Sequence, residues 1–242
     1  MTPRHLLRPW RRLAALCCLL AGWTGGATAA GVLYDNGGPD GAGANNAGIA
    51  WQADDFVLGG GAVLSDLHFW TFEAAGAYRN SIAWAIAADA GGTVGALLAS
   101  GQQGAVARSA TGAVQAGLDG YQYGLDLNAP LALAAGRYWL VLHNGGFGQM
   151  GDPNDFYWAT AAANGGPDGR ESYNGGASWG ANGSEHAFQL TGVVPEPSPA
   201  ALLGAGLAVL LLRRRVGARR ADDVGGDGGG HGDGRPAAWG RS

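Results

Sequence analysis

A strict alternation of large apolar residues with small or polar ones runs through Tyr121-Gln122-Tyr123-Gly124-Leu125-Asp126-Leu127-Asn128. A period of two places the four apolar side chains on one face of an extended strand. Residues 81–86 and 185–190 repeat this pattern, whereas 64–72 and 137–143 are apolar on both faces. Strands of the second kind are typical of the middle of a layered β protein. These segments therefore predict a chain built from β-strands.

Turn-forming sequences separate the predicted strands. They are Gly59-Gly60-Gly61, Asp89-Ala90-Gly91-Gly92, Asp119-Gly120 and Asn144-Gly145-Gly146. Two further extended segments lie at 54–58 and 155–160, and residues 31–192 contain no amphipathic helical stretch. Short strands joined by glycine turns predict an all-β fold, a single antiparallel β-sandwich or jelly roll over residues 31–192. Closure of the same strands into one cylindrical sheet is the weaker alternative.

The predicted domain is large enough for a core and is strongly acidic. Its 162 residues contain six tryptophans and fourteen carboxylates but only four arginines, and the whole chain has no lysine. The resulting net charge of about −10 makes nucleic acid and anionic lipid poor partners. Both cysteines, Cys17 and Cys18, precede the domain. We therefore expect neither disulfides nor thiolate–metal bonds within it.

Residues 1–30 have the composition of a signal peptide. Four arginines and no acid come first, and an apolar stretch follows at 13–21. The segment ends in Ala27-Thr28-Ala29-Ala30, which fits an A-x-A-like cleavage site. We expect export by the general secretory route.

A three-part segment occupies residues 193–215. Pro195-Glu196-Pro197 comes first, an apolar run follows at 200–212, and Arg213-Arg214-Arg215 ends the segment. As a helix the run would span about 20 Å, against roughly 30 Å for the hydrocarbon core of a bilayer. The arginines suit the cytoplasmic face of a membrane. The pattern predicts a short transmembrane helix that is inserted transiently in the inner membrane.

This segment resembles the PEP-CTERM sorting signal of exported Gram-negative proteins, which the membrane protease exosortase processes. The resemblance implies that the secretion machinery and exosortase are transient partners and that the product reaches the cell surface or the extracellular space. It also implies an association with exopolysaccharide in a biofilm matrix. Residues 216–242 continue past the usual end of such signals. They are rich in glycine, aspartate and arginine, and we expect them to be disordered.

The middle of the chain is similar to a β-sandwich type that is common among exported bacterial proteins. The similarity rests on residues 54–58 (DDFVL), 89–95 (DAGGTVG) and 135–140 (AGRYWL). Val94 departs from the type, in which a proline usually precedes the glycine. The similarity implies a fold and carries no activity.

A hydrolase is the least favoured class of function. Residues 176–180 match the G-x-S-x-G pattern around Ser178, but a nucleophile on this motif needs a strand before it and a helix after it. Here the flanking sequence is a glycine-rich loop. The histidines His68, His143 and His186 have no metal-ligand spacing and lie within predicted strands. We predict that the protein is not an enzyme and needs no cofactor.

Calcium is the one metal for which the sequence offers a candidate site. Asp152, Asn154 and Asp155 place oxygen donors close together in a predicted loop. The hexapeptide NGGPDG, which occurs at both 36–41 and 164–169, contributes Asp40 and Asp168 as weaker candidates. Two similar turns are the simpler explanation of this repeat.

Aromatic side chains suggest a second kind of site. Trp158 and Trp179 lie near predicted loops, where exposed indoles could stack against sugar rings, whereas Trp84 and Trp139 have the setting of core residues. The sequence thus predicts an exported, exosortase-processed, non-enzymatic surface or matrix protein. The alternative is a carbohydrate-binding module, with or without the assistance of calcium.

Overall fold

The computed structural model describes residues 30–195, 203–204 and 206–209. Residues 30–195 form fourteen β-strands. In chain order they are β1 (Gly31–Asp35), β2 (Ala44–Asn46), β3 (Trp51–Leu58), β4 (Ala62–Glu73), β5 (Ser81–Asp89), β6 (Val94–Gly104), β7 (Ala107–Gln115), β8 (Leu118–Leu133), β9 (Gly136–Asn144), β10 (Phe156–Ala161), β11 (Arg170–Ser172), β12 (Gly180–Ala181), β13 (Glu185–His186) and β14 (Phe188–Val193). The all-β prediction is confirmed.

The strands form two antiparallel sheets. Sheet I is built around β4. One edge of β4 pairs with β8, which in turn pairs with β7. The other edge of β4 pairs with β14, which continues to β1, and with β10, which continues to β13 and β2. Sheet II has the order β12-β11-β3-β9-β5-β6. All of the strand pairings are antiparallel. Two packed layers, and not one cylindrical sheet, account for the apolar alternation.

The main hydrophobic core lies between the two sheets. In β8 the alternation puts Tyr123, Leu125 and Leu127 inside, as the sequence predicts. The core also takes in bulky side chains from both sheets, among them Phe56, Leu67, Phe69, Ile82, Trp84, Ile86, Leu140, Leu142, Phe156, Trp158, Phe188 and Leu190. Burial of this apolar surface is the main force that holds the two layers together.

The outer face of sheet II is also covered. Trp51 and Trp139 lie on it above the small side chains of Ala85 and Ala87, and loop residues pack on top of them. This second layer explains why β5 has bulk on one face and only methyl groups on the other. Gly176 permits the close approach of the loop, because a Cβ there would lie 2.9 Å from Cζ3 of Trp51.

One predicted turn is wrong. Asp119-Gly120 lies inside β8, and the chain reverses at Ala116 and Gly117, whose φ angles are 51° and 83°. Glycine suits this strand position because the partner strand approaches closely: a Cβ at Gly120 would lie 2.5 Å from Oγ1 of Thr111.

The predicted strand at 185–190 is divided at Ala187. The Ala187 N–H donates to Ala159 O (2.8 Å), and its carbonyl accepts from Trp70 N (3.3 Å). As a result β13 pairs with β10 while β14 pairs with β4.

The sorting motif lies mostly outside the described residues. Pro195 is described, and so is Ala30 at the end of the predicted signal peptide. The described residues do not include the rest of the signal peptide (1–29), Glu196, Pro197, the arginines 213–215 and the tail 216–242. Within the predicted apolar helix, residues 203–204 and 206–209 are helical. Among the described residues, no helix has both the length and the apolar character needed to cross a membrane.

Candidate functional site

Three buried carboxylates converge where the two sheets meet. Asp54 and Asp55 come from β3 of sheet II, and Glu185 comes from β13 of sheet I. They are 0%, 2% and 5% exposed. One oxygen of each lies within 4.8 Å of the others, and within residues 30–195 this is the only such group of three or more metal-ligating side chains. We refer to Asp54, Asp55 and Glu185 as the acid cluster.

The acid cluster forms at an edge of β3. Strand β11 pairs with β3 only as far as Ala53, while β9 continues alongside on the other edge. Asp54 shares a face of β3 with the core residue Phe56, and Asp55 lies on the opposite face. At the edge left by β11, both carboxylates reach Glu185.

The two NGGPDG hexapeptides meet at the acid cluster. Asn36 Nδ2 donates to Asp54 Oδ2 (3.1 Å) and to Glu185 Oε2 (3.3 Å). Asn164 Nδ2 donates to the same Glu185 oxygen (2.9 Å) and to Asn36 Oδ1 (2.8 Å). The first residue of each hexapeptide therefore supplies an amide to the site, which the interpretation as two similar turns does not explain.

Positive charge at the acid cluster is scarce. Arg137 Nη1 donates to Asp55 Oδ2 (2.6 Å), and the His186 backbone N–H donates to Asp54 Oδ2. Two of the buried polar atoms without a hydrogen-bond partner lie at this site. They are Asp55 Oδ1 and His186 Nδ1, and the latter is 3.5 Å from Asp54 Oδ2. Three carboxylates thus face one guanidinium.

Burial and mutual repulsion raise the pKa values of two carboxylates of the acid cluster, Asp55 and Glu185. Burial raises the pKa of Asp55 to about 6, with Asp54 and Asp89 adding to the effect of burial and Arg137 opposing it. Burial and the charge of Asp54 raise the pKa of Glu185 to about 7. Burial and the nearby carboxylates raise the pKa of Tyr34 to about 12. Burial is the largest cause of each shift, and the neighbouring carboxylates add to it.

The loop predicted to bind calcium has a different arrangement. Asp152 is buried in an ion pair with Arg79 and accepts from Asn154 N (3.1 Å) and Nδ2 (3.2 Å). Asp155 is exposed and accepts from Tyr157 Oη (3.0 Å). The hydrogen bond from Arg79 lowers the pKa of Asp152. A cation at this loop would have to displace a guanidinium, so the geometry speaks against the predicted site.

The weaker calcium candidates lie beside the acid cluster. Asp40 accepts from Thr160 Oγ1 (2.7 Å), and Asp168 is exposed. Both line a cleft of about 300 Å³ whose wall also includes Glu185 and Ser184. This cleft, which we call the acidic cleft, reaches the acid cluster at Glu185.

The two predicted sugar-stacking residues, Trp158 and Trp179, differ in their burial. Trp158 is fully buried, donates from Nε1 to Ala187 O (2.9 Å) and packs on His186 and Phe188, so no indole face is open to a ligand. Alternation along β10 puts Trp158 inside and Tyr157 outside. Trp179 is half-buried, with its ring 6.4 Å from that of Trp51.

The sequence motif around Ser178 lacks the setting of a nucleophile. Ser178 accepts a hydrogen bond at Oγ from Asn174 Nδ2 (2.7 Å), and its N–H donates to Asn174 Oδ1 (2.9 Å). The loop leads into β12 and not into a helix. The histidines lie in strands, as predicted: His68 in β4, His143 in β9 and His186 in β13.

Sequence reasoning missed the acid cluster. Its one local signal is a pair of adjacent acids inside a largely apolar strand, Asp54-Asp55 before Phe56. The repeated asparagines, Asn36 and Asn164, are a second signal that becomes informative once the fold is known. No protein-family model and no curated protein matches the chain.

Proposed function

We propose that this chain is an exported, non-enzymatic protein of the cell surface or extracellular matrix, sorted by its C-terminal segment. One observation carries the proposal: Pro195-Glu196-Pro197, the apolar run 200–212 and Arg213–Arg215 occur in the order and spacing of a PEP-CTERM signal. Residues 1–30 add an export signal. Exosortase would cut near Pro195–Pro197 and leave the sandwich outside the inner membrane.

The described sandwich is compatible with this role. It presents an acidic surface, because its arginines are few and are used in internal contacts. Its one serine in a hydrolase-like motif, Ser178, lies in a loop and contacts an asparagine. These features favour a binding or structural module over a catalyst.

Mass spectrometry of the product secreted by an exosortase-containing host tests the proposal. We expect a mature chain that begins after residue 30 and ends near Pro195–Pro197. Replacement of Arg213, Arg214 and Arg215 by glutamine should leave the precursor unprocessed. A secreted chain that is intact through Ser242 would contradict the assignment.

Carbohydrate binding is the second candidate function. A cleft of about 390 Å³ on the sandwich is lined by Asp155 and Tyr157, together with Phe72, Leu118 and Gln115. An aromatic ring beside a carboxylate is a common arrangement for holding a sugar, since the ring packs on its C–H face and the carboxylate accepts from its hydroxyls.

A glycan array with the secreted protein tests this second candidate. Tyr157→Ala should reduce binding, whereas Tyr173→Ala, which alters an exposed tyrosine outside the cleft, should not. Equal signals for the two variants, or no signal above background for any glycan, would remove carbohydrate binding. A parallel array with chelator shows whether binding needs a divalent cation.

A further inference from the structure

We propose that the acid cluster, Asp54, Asp55 and Glu185, is a binding site for a divalent cation and that the ion is Ca²⁺. The site is separate from the loop at 152–155 that the sequence suggested. The proposal is independent of how the protein is sorted and of whether it binds sugars.

The spacing of the oxygens suits one bound ion. Calcium takes oxygen ligands at roughly 2.3–2.6 Å, so two ligands of the same ion are at most about 5 Å apart. One oxygen from each of Asp54, Asp55 and Glu185 satisfies this limit, since all three lie within 4.8 Å of one another. Side chains from both sheets are therefore already placed around a common point.

An unpartnered oxygen points to a missing ligand. Asp55 Oδ1 is buried and accepts no hydrogen bond, although folded proteins pair nearly all buried polar atoms. A Cβ on Gly166 would lie 3.2 Å from this oxygen, so glycine at this position keeps a methyl group from crowding the carboxylate. His186 Nδ1, also buried and unpartnered, lies on the Asp54 side of the cluster.

Charge at the site favours a divalent ion. Arg137 is the cation that contacts the cluster, through Asp55 Oδ2, and it leaves two of the three negative charges unbalanced when all the carboxylates are ionised. One divalent cation would neutralise them. Carboxylate oxygens in an irregular, largely dry site suit Ca²⁺ better than Mg²⁺, which needs near-octahedral geometry and retains water.

The repeated hexapeptide gives the site its walls and its entrance. In each copy the first residue, Asn36 or Asn164, donates to a cluster carboxylate. The fifth residue, Asp40 or Asp168, lines the acidic cleft that leads from solvent to Glu185. An acidic entrance concentrates cations in front of the buried ligands.

Calcium titration of the chelator-stripped secreted protein tests the site. Isothermal titration calorimetry should give one Ca²⁺ per chain, and Tm should rise with millimolar CaCl₂. Asp55→Asn and Glu185→Gln should lose both responses. Asn36→Ala, which removes a partner of two ligands, should weaken binding by about ten- to hundredfold.

Matched controls in the other candidate loop separate the two sites. Asp155→Asn should bind Ca²⁺ as the wild type does. The proposal is overturned if wild-type protein shows neither heat nor a Tm shift with Ca²⁺, or responds to Zn²⁺ alone. It is also overturned if Asp155→Asn abolishes binding while Glu185→Gln retains it. If a variant of the acid cluster fails to fold, the absence of a wild-type response to Ca²⁺, or its loss in Asp155→Asn, still overturns the proposal.

Discussion

Buried carboxylates occur in this sandwich in two contrasting settings. Glu73 is 2% exposed and accepts from Tyr123 Oη (2.8 Å), Thr71 Oγ1 (3.0 Å) and Arg108. Asp55 is equally buried, yet one of its oxygens has no partner. Donors from the chain hold both oxygens of the first carboxylate, whereas they reach only one oxygen of the second.

The phenol of Tyr123 should contribute measurably to stability. Tyr123→Phe removes a hydrogen bond to buried, charged Glu73 and also the acceptor of Arg108 Nη1 (2.9 Å). We expect the free energy of unfolding to fall by about 1–3 kcal/mol. Urea denaturation followed by tryptophan fluorescence measures it, with exposed Tyr173→Phe as the control. Equal midpoints for the two variants would show that the network is not stabilising.

The pH dependence of stability should reveal the acid cluster when no divalent cation is present. The folded-state pKa values of Asp55 (about 6) and Glu185 (about 7) exceed their ordinary values of 3.8 and 4.5. Both groups therefore bind protons more tightly in the folded state. Their stabilising contribution is complete below pH about 4 and is lost as pH rises through about 6–7.

Comparison of the wild type with Glu185→Gln isolates this effect. In chelator, the wild type should lose stability relative to the variant between pH 5 and pH 8, by on the order of 3 kcal/mol. Thermal unfolding at a series of pH values measures the difference. Parallel curves for the two proteins would mean that the pKa of Glu185 is not raised.

At the scale of single strands, local periodicity carries most of the information. Strands β5, β8 and β9 could be predicted because their apolar residues recur every second position or fill the strand. Strand β7 could not, since eight of its nine residues are exposed and leave no hydrophobic pattern. A strand like this is held by backbone hydrogen bonds to β8, and these leave no pattern in the side-chain sequence.

The candidate site was harder to predict than the strands for a related reason. Asp54, Asn164 and Glu185 are far apart in the sequence and meet only after two sheets have packed. By contrast Asp152, Asn154 and Asp155 are close in sequence, and yet Arg79 occupies the carboxylate of Asp152. The closeness of carboxylates in the sequence therefore does not predict whether they pair with an arginine or remain free to bind a metal ion.

The hairpin between β7 and β8 contains a strained backbone conformation at Ala116 that a substitution could relieve. Ala116 has φ = 51° and precedes Gly117 at φ = 83°, a pair of left-handed residues for which Asn-Gly is the favoured sequence. Ala116→Asn should stabilise the protein by about 0.5–1 kcal/mol. Chemical denaturation measures this change against Ala110→Asn, an exposed position in β7. If Ala116→Asn is no more stable than that control, the turn does not have this geometry.

At the scale of the whole molecule, the arginines of the sandwich serve internal contacts. Arg79, Arg108 and Arg137 pair with buried carboxylates, and Arg170 donates to Gly92 O (2.7 Å). The remaining acids have no lysine to offset them, because the chain contains none. Without disulfides, a cation shared by the two sheets at the acid cluster would act as their crosslink.

This excess of negative charge predicts a response to salt that differs from the response to calcium. Potassium chloride screens repulsion among exposed acids, so Tm in chelator should rise gradually as the salt increases. Calcium bound at the acid cluster should instead raise Tm at concentrations too low to screen, and Glu185→Gln should abolish only that rise. Because Asp119 and Asp155 are exposed, their double replacement by asparagine should reduce the potassium effect and spare the calcium effect. A Tm that falls with potassium chloride would mean that screening of the three arginine–carboxylate pairs outweighs the relief of surface repulsion.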